Sequence, residues 1–275
     1  MSVAVVCNLS DGVILGVDSA LTIGDASSPA KVYEDAEKLF ALDELPIGIA
    51  TYGMAAIGDR TIGNLLRQFE VSNSTAINAP TATLEGIAEL LRDFFHQEYM
   101  RVIAPSLEQQ LGVPYDQIPD NRKPGLGLVV AGFSTGAYLS EVFNILIPLH
   151  AAANSARRLG NPGDIGAVRF ATCNPISRYI LGYDEGLLDA IIDHVNTIRP
   201  PLTRAEVQGL YNVAAKFRYQ IVFTGMPIKR GIEYVRFLVE LVINHYKFVE
   251  GASIVGGKCR IGVVTYRGGK FKILE

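Results

Sequence analysis

At 275 residues, 49% apolar and 19% charged with no block of like charge, the chain has the composition of a folded globular protein rather than a disordered one. A net charge of -3 supplies no basic stripe and so excludes the electrostatic footprint of a nucleic-acid binder. Met1 is followed by alternating Val, Ala and Cys without a basic segment, and no apolar run is long enough to span a bilayer, so neither export nor a membrane partner is expected and the expected compartment is the cytoplasm.

Val3 to Cys7 and Val13 to Val17 are short β-branched runs joined by Asn8-Leu9-Ser10-Asp11-Gly12, whose Asp-Gly marks a hairpin turn. After a Gly-, Asp-, Ser- and Pro-rich loop from Gly24 to Pro29, Lys38 to Leu42 and Ile47 to Tyr52 form a second hairpin around Asp43 to Pro46, so the chain is expected to start with four strands. From Asp59 the apolar period changes. Ile62, Leu65, Leu66 and Phe69 share one helical stripe, and Leu84, Ile87, Ala88, Leu91, Phe94 and Phe95 share a second. Residues 97–124, with Pro105, Pro114, Pro119 and Pro124, read as irregular. Leu126 to Ala131, Tyr138 to Ile145 and Val168 to Thr172 return to strand character. Helices are expected around Arg204 to Phe217 and Gly231 to Val249, then two strands, Ile261 to Tyr266 and Lys270 to Leu274, around Arg267-Gly268-Gly269.

The order strands, helices, strands, helices, strands lacks the strict alternation of a doubly wound sheet. It predicts an α+β fold with two stacked antiparallel sheets between helix layers, a four-layer αββα sandwich, in a single domain over 1–275 with insertions near 97–124 and 185–225. The widely spaced and odd-numbered Cys7, Cys173 and Cys259 suit reduced thiols rather than a disulfide framework. His96, His150, His194 and His245 have no ligand spacing, so neither a metal nor another cofactor is expected.

Four stretches, in order, resemble proteasome β subunits. They are Ser2 through Asp18-Ser19-Ala20-Leu21-Thr22; Glu37-Lys38-Leu39-Phe40; Gly48-Ile49-Ala50-Thr51-Tyr52-Gly53 with Gly58-Asp59; and Gly256-Gly257-Lys258-Cys259-Arg260-Ile261-Gly262-Val263-Val264-Thr265. The likeness covers the first seventy residues or so and the C-terminal strand, and the middle matches by element order. On it the chain is identified as a relative of the bacterial proteasome-type peptidases, an N-terminal nucleophile hydrolase. Taken singly, Ser2 is an ordinary residue after Met, Asp18 and Lys38 are strand-end charges, and Gly53 is a turn glycine.

The resemblance assigns these residues roles. Ser2 is the nucleophile once Met1 is removed, because a free α-amine beside the hydroxyl can take its proton, and such an amine titrates near working pH. Lys38 matches the lysine whose charge favours the deprotonated nucleophile, and Asp18 the carboxylate that keeps it charged, the two expected on neighbouring strands of one sheet. Gly53 matches the oxyanion-hole glycine and Thr22 the residue that pairs its backbone with an extended substrate. Leu21, Ala36, Thr51 and Ala55 fall where the first specificity pocket is lined, which implies an apolar substrate residue. Glu250 and Ser253 have the spacing of a supporting acid and serine, although Ile254 and Val255 then precede Gly256-Gly257 as two extra residues.

A serine where the family has threonine leaves peptides and other amides both open as substrates. By the same resemblance the chain is expected to form a homo-oligomeric ring, with an ATPase as the partner that feeds it. The rival reading is a catalytically inactive, ring-building subunit in which Met1 stays.

Overall fold

The computed structural model describes residues 2–24, 29–42, 45–148, 156–250, 255–267 and 269–274. In chain order, β1 (Val3–Leu9), β2 (Gly12–Val17), β3 (Leu21–Gly24), β4 (Pro29–Tyr33), β5 (Leu39–Ala41), β6 (Ile47–Gly53), β7 (Ala56–Ile57) and β8 (Arg60–Thr61) precede α1 (Ile62–Ile77) and α2 (Leu84–Leu111). Next come β9 (Leu126–Phe133), β10 (Ser140–Ile147), β11 (Arg157–Arg158) and β12 (Gly166–Ala171). The helices α3 (Asn174–Leu181), α4 (Glu185–Ile198), α5 (Arg204–Ala214) and α6 (Ile228–Tyr246) follow, and β13 (Arg260–Thr265) and β14 (Lys272–Leu274) close the chain. The fold is α+β with antiparallel sheets. Among the described residues, no helix is long and apolar enough to cross a membrane.

The chain divides into two compact units, 1–171 with 223–275, and 172–222. In the larger unit one sheet runs β12-β1-β2-β13-β14 and the other β11-β10-β9-β6-β5. Strand alternation sorts the side chains of β1 and β2 onto two faces. Ala4, Val6, Val13, Leu15 and Val17 join Ala50, Val129 and Ala131 of the second sheet in one core, whereas Leu9, Ile14 and Gly16 lie against Gly231 and Val235 of α6. With apolar neighbours on both faces, β1 and β2 are buried along their whole length. On its other side the second sheet packs Ile49, Leu128, Val130, Phe143 and Ile145 against Leu65, Phe69, Leu91 and Phe95 of α1 and α2.

Phe271 links the two sheets. Its ring occupies the space that a Cβ would take on Gly48 of one sheet and on Gly262 of the other, so both positions lack a side chain because an aromatic ring fills the place. Phe271 is buried, and Phe271→Ala is expected to destabilise the protein by about 3–5 kcal/mol, measured by denaturant unfolding, because the two glycines cannot fill the cavity.

The smaller unit holds α3, α4 and α5. There the Thr203 side chain accepts a hydrogen bond from Glu206 N and Glu206 reaches back to Thr203 N, a capping box that starts α5.

Several boundaries differ from the sequence reading for physical reasons. Helix α2 continues to Leu111 through Pro105 and ends on Gly112, whose positive φ of 69° lets its N–H reach Glu108 O at 2.8 Å. The β3–β4 ribbon was hidden because its residues Lys31, Val32 and Tyr33 are exposed and carry no burial pattern.

Candidate active site

Ser2 directly precedes β1 and is 2% exposed. Asp18 directly follows β2, and the hairpin itself brings the two together. A turn at Ser10-Asp11 sets Leu9 opposite Gly12 and Ala4 opposite Val17, so the next step of the ladder places Asp18 beside Val3. Val3 N accordingly donates to Asp18 Oδ1 at 3.0 Å, and Asp18 N to Val3 O at 3.4 Å.

Lys38 arrives from the other sheet. It sits just before β5, and its carbonyl accepts from Thr51 N of β6 at 2.8 Å. This corrects the expectation of pairing within one sheet, because β2 and β5 belong to different sheets and Asp18 and Lys38 meet across the gap between them. Lys38 Nζ lies 3.0 Å from Asp18 Oδ1 and donates to Ser2 Oγ at 3.0 Å. The side chains of the pair are 6% and 0% exposed, and burial pulls the Lys38 ammonium below its ordinary lysine value against the opposing pull of the Asp18 charge.

Asp18 is fully buried and accepts three backbone donors besides Lys38: Val3 N, Ala20 N at 3.3 Å and Gly256 N at 3.3 Å, the last two on Oδ2. A buried carboxylate needs such a shell, since an unpaired charge in this environment is strongly unfavourable.

Ser2, Lys38, Thr51, Gly53 and Ala55 line one small cavity together with Glu37, Tyr52, Met54 and Ile62. Gly53 has a φ of 85°, and a Cβ there would overlap the Gly125 carbonyl oxygen. Its amide direction follows from the ladder. Met54 N bonds to Gly125 O towards β9, and Thr51 N bonds to Lys38 O towards the opposite side. Alternation therefore turns Gly53 N–H to the side of Lys38, two residues beyond the last bond to the β5 segment.

The remaining candidates are more scattered. Leu21 and Thr22 sit on β3, opposite Tyr33 and Val32. Ala36 is half-buried, donates its N–H to Ser19 O at 2.8 Å, and lines the neighbouring cavity with Asp35, Glu37 and Lys38. Glu250 is exposed beyond the end of α6 and does not line the Ser2 cavity. Ser253 lies outside the described residues. Sequence reasoning assigned nothing to Ser19, Glu37 or Tyr52. The only available signal for Ser19 was its place next to Asp18, and Tyr52 read as a strand apolar although its hydroxyl donates to Asn144 Oδ1 at 2.9 Å.

No family model and no curated protein matches the chain. Among solved structures, Anbu, an ancestral β-subunit, from Yersinia bercovieri aligns with 98% of this chain and 86% of its own, with a TM-score of 0.52 and 10% identity. The fold is proteasome-like. A Gly-1 mutant of Anbu from Hyphomicrobium sp. strain MC1 aligns with 100% of this chain and 86% of its own at a TM-score of 0.49 and 10% identity.

The Yersinia match corrects the identification made from sequence as a relative of proteasome β subunits and bacterial proteasome-type peptidases. That neighbour is an ancestral β-subunit, proteasome-like but distinct, and 10% identity carries the fold and no family membership. The motifs behind that identification include an Asp-Gly hairpin and strand-end glycines, which a chain needs in order to turn and pack in this way whatever its lineage.

Proposed function

We propose that the chain is an N-terminal nucleophile hydrolase cleaving peptide or other amide bonds, with Ser2 as nucleophile after removal of Met1. The observation that carries this reading is the buried row Asp18 Oδ1, Lys38 Nζ, Ser2 Oγ, with both links at 3.0 Å. A lysine ammonium so placed donates to Oγ and stabilises the alkoxide that forms there, and Asp18 keeps it charged.

The α-amine of Ser2 takes the hydroxyl proton as Oγ attacks the carbonyl carbon. The oxyanion of the tetrahedral intermediate accepts from Gly53 N–H. Collapse breaks the C–N bond, and the leaving amine takes the proton held by the Ser2 ammonium. Water, deprotonated by the same amine, then cleaves the Ser2 ester and releases the acid. The small cavity at Ser2 and Lys38 has Met54, Ala55 and Ile62 in its lining beside Glu37, Thr51 and Tyr52, and these three support an apolar substrate residue beside the scissile bond. By the same proposal Leu21 and Ala36 contact that substrate residue and Thr22 pairs with substrate backbone, while Glu250, exposed and outside the Ser2 cavity, takes no part.

The same proposal includes a four-layer αββα arrangement within a single domain, supported by α1 and α2 on one sheet, α6 against the other and a core between them. It also includes assembly into a homo-oligomeric ring served by an ATPase.

Intact mass after incubation with a hydroxyl-directed β-lactone tests the chemistry. The expected result is loss of Met1 and a single adduct that Ser2→Ala abolishes. Retained Met1 with no adduct would instead support a structural subunit without activity.

A further inference from the structure

We infer that Ser19 is a positioning residue of the Ser2 site, its hydroxyl pinning the Gly256–Lys258 turn that holds Asp18 against Lys38. The inference rests on the proposed reading of that site. Ser19 is fully buried, next to Asp18 and just outside β2. Its Oγ donates to the Glu34 carbonyl and accepts from Lys258 N at 2.7 Å, and its own N–H donates to Gly256 O at 3.2 Å. Ala36 N completes the staple by donating to Ser19 O at 2.8 Å. One small side chain thus joins three segments: the end of β2, the irregular 34–38 segment leading to Lys38, and the turn whose Gly256 N–H donates to Asp18 Oδ2.

The turn has no slack. Gly257 has a φ of 70°, and a Cβ on it would overlap both Glu34 O and Ser19 Oγ, the two atoms joined by the Ser19 hydroxyl bond. A hydroxyl is the group for this place, because it gives one bond and takes another in the space of two heavy atoms. Without it, the Glu34 carbonyl and the Lys258 N–H lose their partner in a part-buried place and the turn relaxes away from Asp18. Asp18 then loses the Gly256 donor and its fixed approach to Lys38, while Lys38 stays buried, so its proton is held less firmly.

Among the described residues, the charged groups facing Lys38 are Asp18 in direct contact, Glu37 in the Ser2 cavity, and Asp35, Glu37 and Arg260 in the second cavity, of about 310 Å³, that Lys38 lines. The Ser2 amine joins them once Met1 is gone. Of these groups, Asp18 is the one whose donor shell contains the pinned turn.

The test is direct titration of Lys38 by NMR of ¹³Cε-labelled lysine, assigned with Lys38→Met, in wild type, Ser19→Cys, Ser19→Thr and Gly257→Ala. Acylation of Ser2 by the β-lactone is followed in parallel across pH. Ser19→Cys keeps the volume but replaces the hydroxyl by a weak donor, and is expected to lower the Lys38 midpoint by about half a unit or more. It should also slow acylation about 10- to 100-fold, as small misplacements in a reacting site do. Ser19→Thr keeps the hydroxyl and is expected to hold Lys38 near the wild-type midpoint, whereas Gly257→Ala reproduces the shift by pushing the same contact apart. An unchanged Lys38 midpoint in folded Ser19→Cys and Gly257→Ala overturns the inference, and a loss of thermal stability alone does not rescue it. Because the titration needs no turnover, a wild-type protein that takes no adduct defeats the functional proposal while leaving this one decided by the NMR result.

Discussion

Lys38→Met is expected to slow acylation of Ser2 by about 10²–10⁴-fold near neutral pH, as read from the rate of adduct formation by mass spectrometry. Methionine keeps the length and apolar contacts of the lysine stem and removes only the ammonium that lies 3.0 Å from Ser2 Oγ. In wild type the rate should be bell-shaped in pH. It rises as the Ser2 amine loses its proton, near the ordinary α-amine range of about 7.7–8.0. It falls again as Lys38 loses its charge. Burial holds Lys38 below the ordinary lysine value of 10.5, so the falling limb must lie below that of an ordinary lysine. Lys38→Met should lose that limb along with most of the rate. Lys38→Arg should remain slow, because a planar fork does not fit where a compact ammonium meets one hydroxyl and one carboxylate oxygen. A rate in Lys38→Met within a few-fold of wild type would remove Lys38 from the mechanism.

The part of the site legible in the sequence is the part that a hairpin fixes. The separation of Ser2 from Asp18 is informative because a two-residue turn at Ser10-Asp11 makes the register unavoidable, and Val3 must then stand beside Asp18. The early strands were legible for the same local reasons, as were the stripes of α1 and α2. Lys38 could be named by resemblance, but its partner sheet could not be read, because stacking one sheet on another is a long-range event that leaves no spacing in the chain. Phe271 shows the same limit. The reason that Gly48 and Gly262 lack side chains is a ring from a residue far from Gly48 in sequence.

What proved illegible was exposed or depended on context. The β3–β4 ribbon shows no alternation because Lys31, Val32 and Tyr33 all face solvent, and α2 passes through Pro105 although a proline there reads as a boundary. Ser19 gave no signal either. A serine after an aspartate at a strand end is an ordinary turn residue, and only the arrival of Glu34 and Lys258 from distant segments turns it into a junction.

Asp18→Asn is expected to destabilise the protein by about 3–5 kcal/mol in denaturant unfolding at pH 7, the loss typical of removing one member of a buried ion pair. Volume hardly changes, so the effect is electrostatic. Asparagine offers one oxygen where Asp18 offers two, and its NH₂ must face either Val3 N–H and Lys38 Nζ or the N–H groups of Ala20 and Gly256, donors in both cases. Lys38 then keeps its burial and loses its counter-charge, which lowers its folded pKa further. The sign for stability follows from linkage. Between the depressed folded value and 10.5 the unfolded chain binds more protons than the folded one, so stability gains from Lys38 as pH rises through that window. Asp18→Asn widens the window at its lower end. Its deficit relative to wild type should therefore be largest below the variant's own Lys38 value and shrink as pH rises to the wild-type folded value. Burial pushes Cys7 and Tyr52 up to about 12, which erodes stability at high pH in both proteins and cancels in the difference. Cys259, raised mainly by burial and in part by the Asp18 charge, is raised less in Asp18→Asn, which shrinks the deficit further above pH 9. A deficit that stays constant from pH 6 to 10 would mean that Lys38 does not depend on Asp18 for its charge.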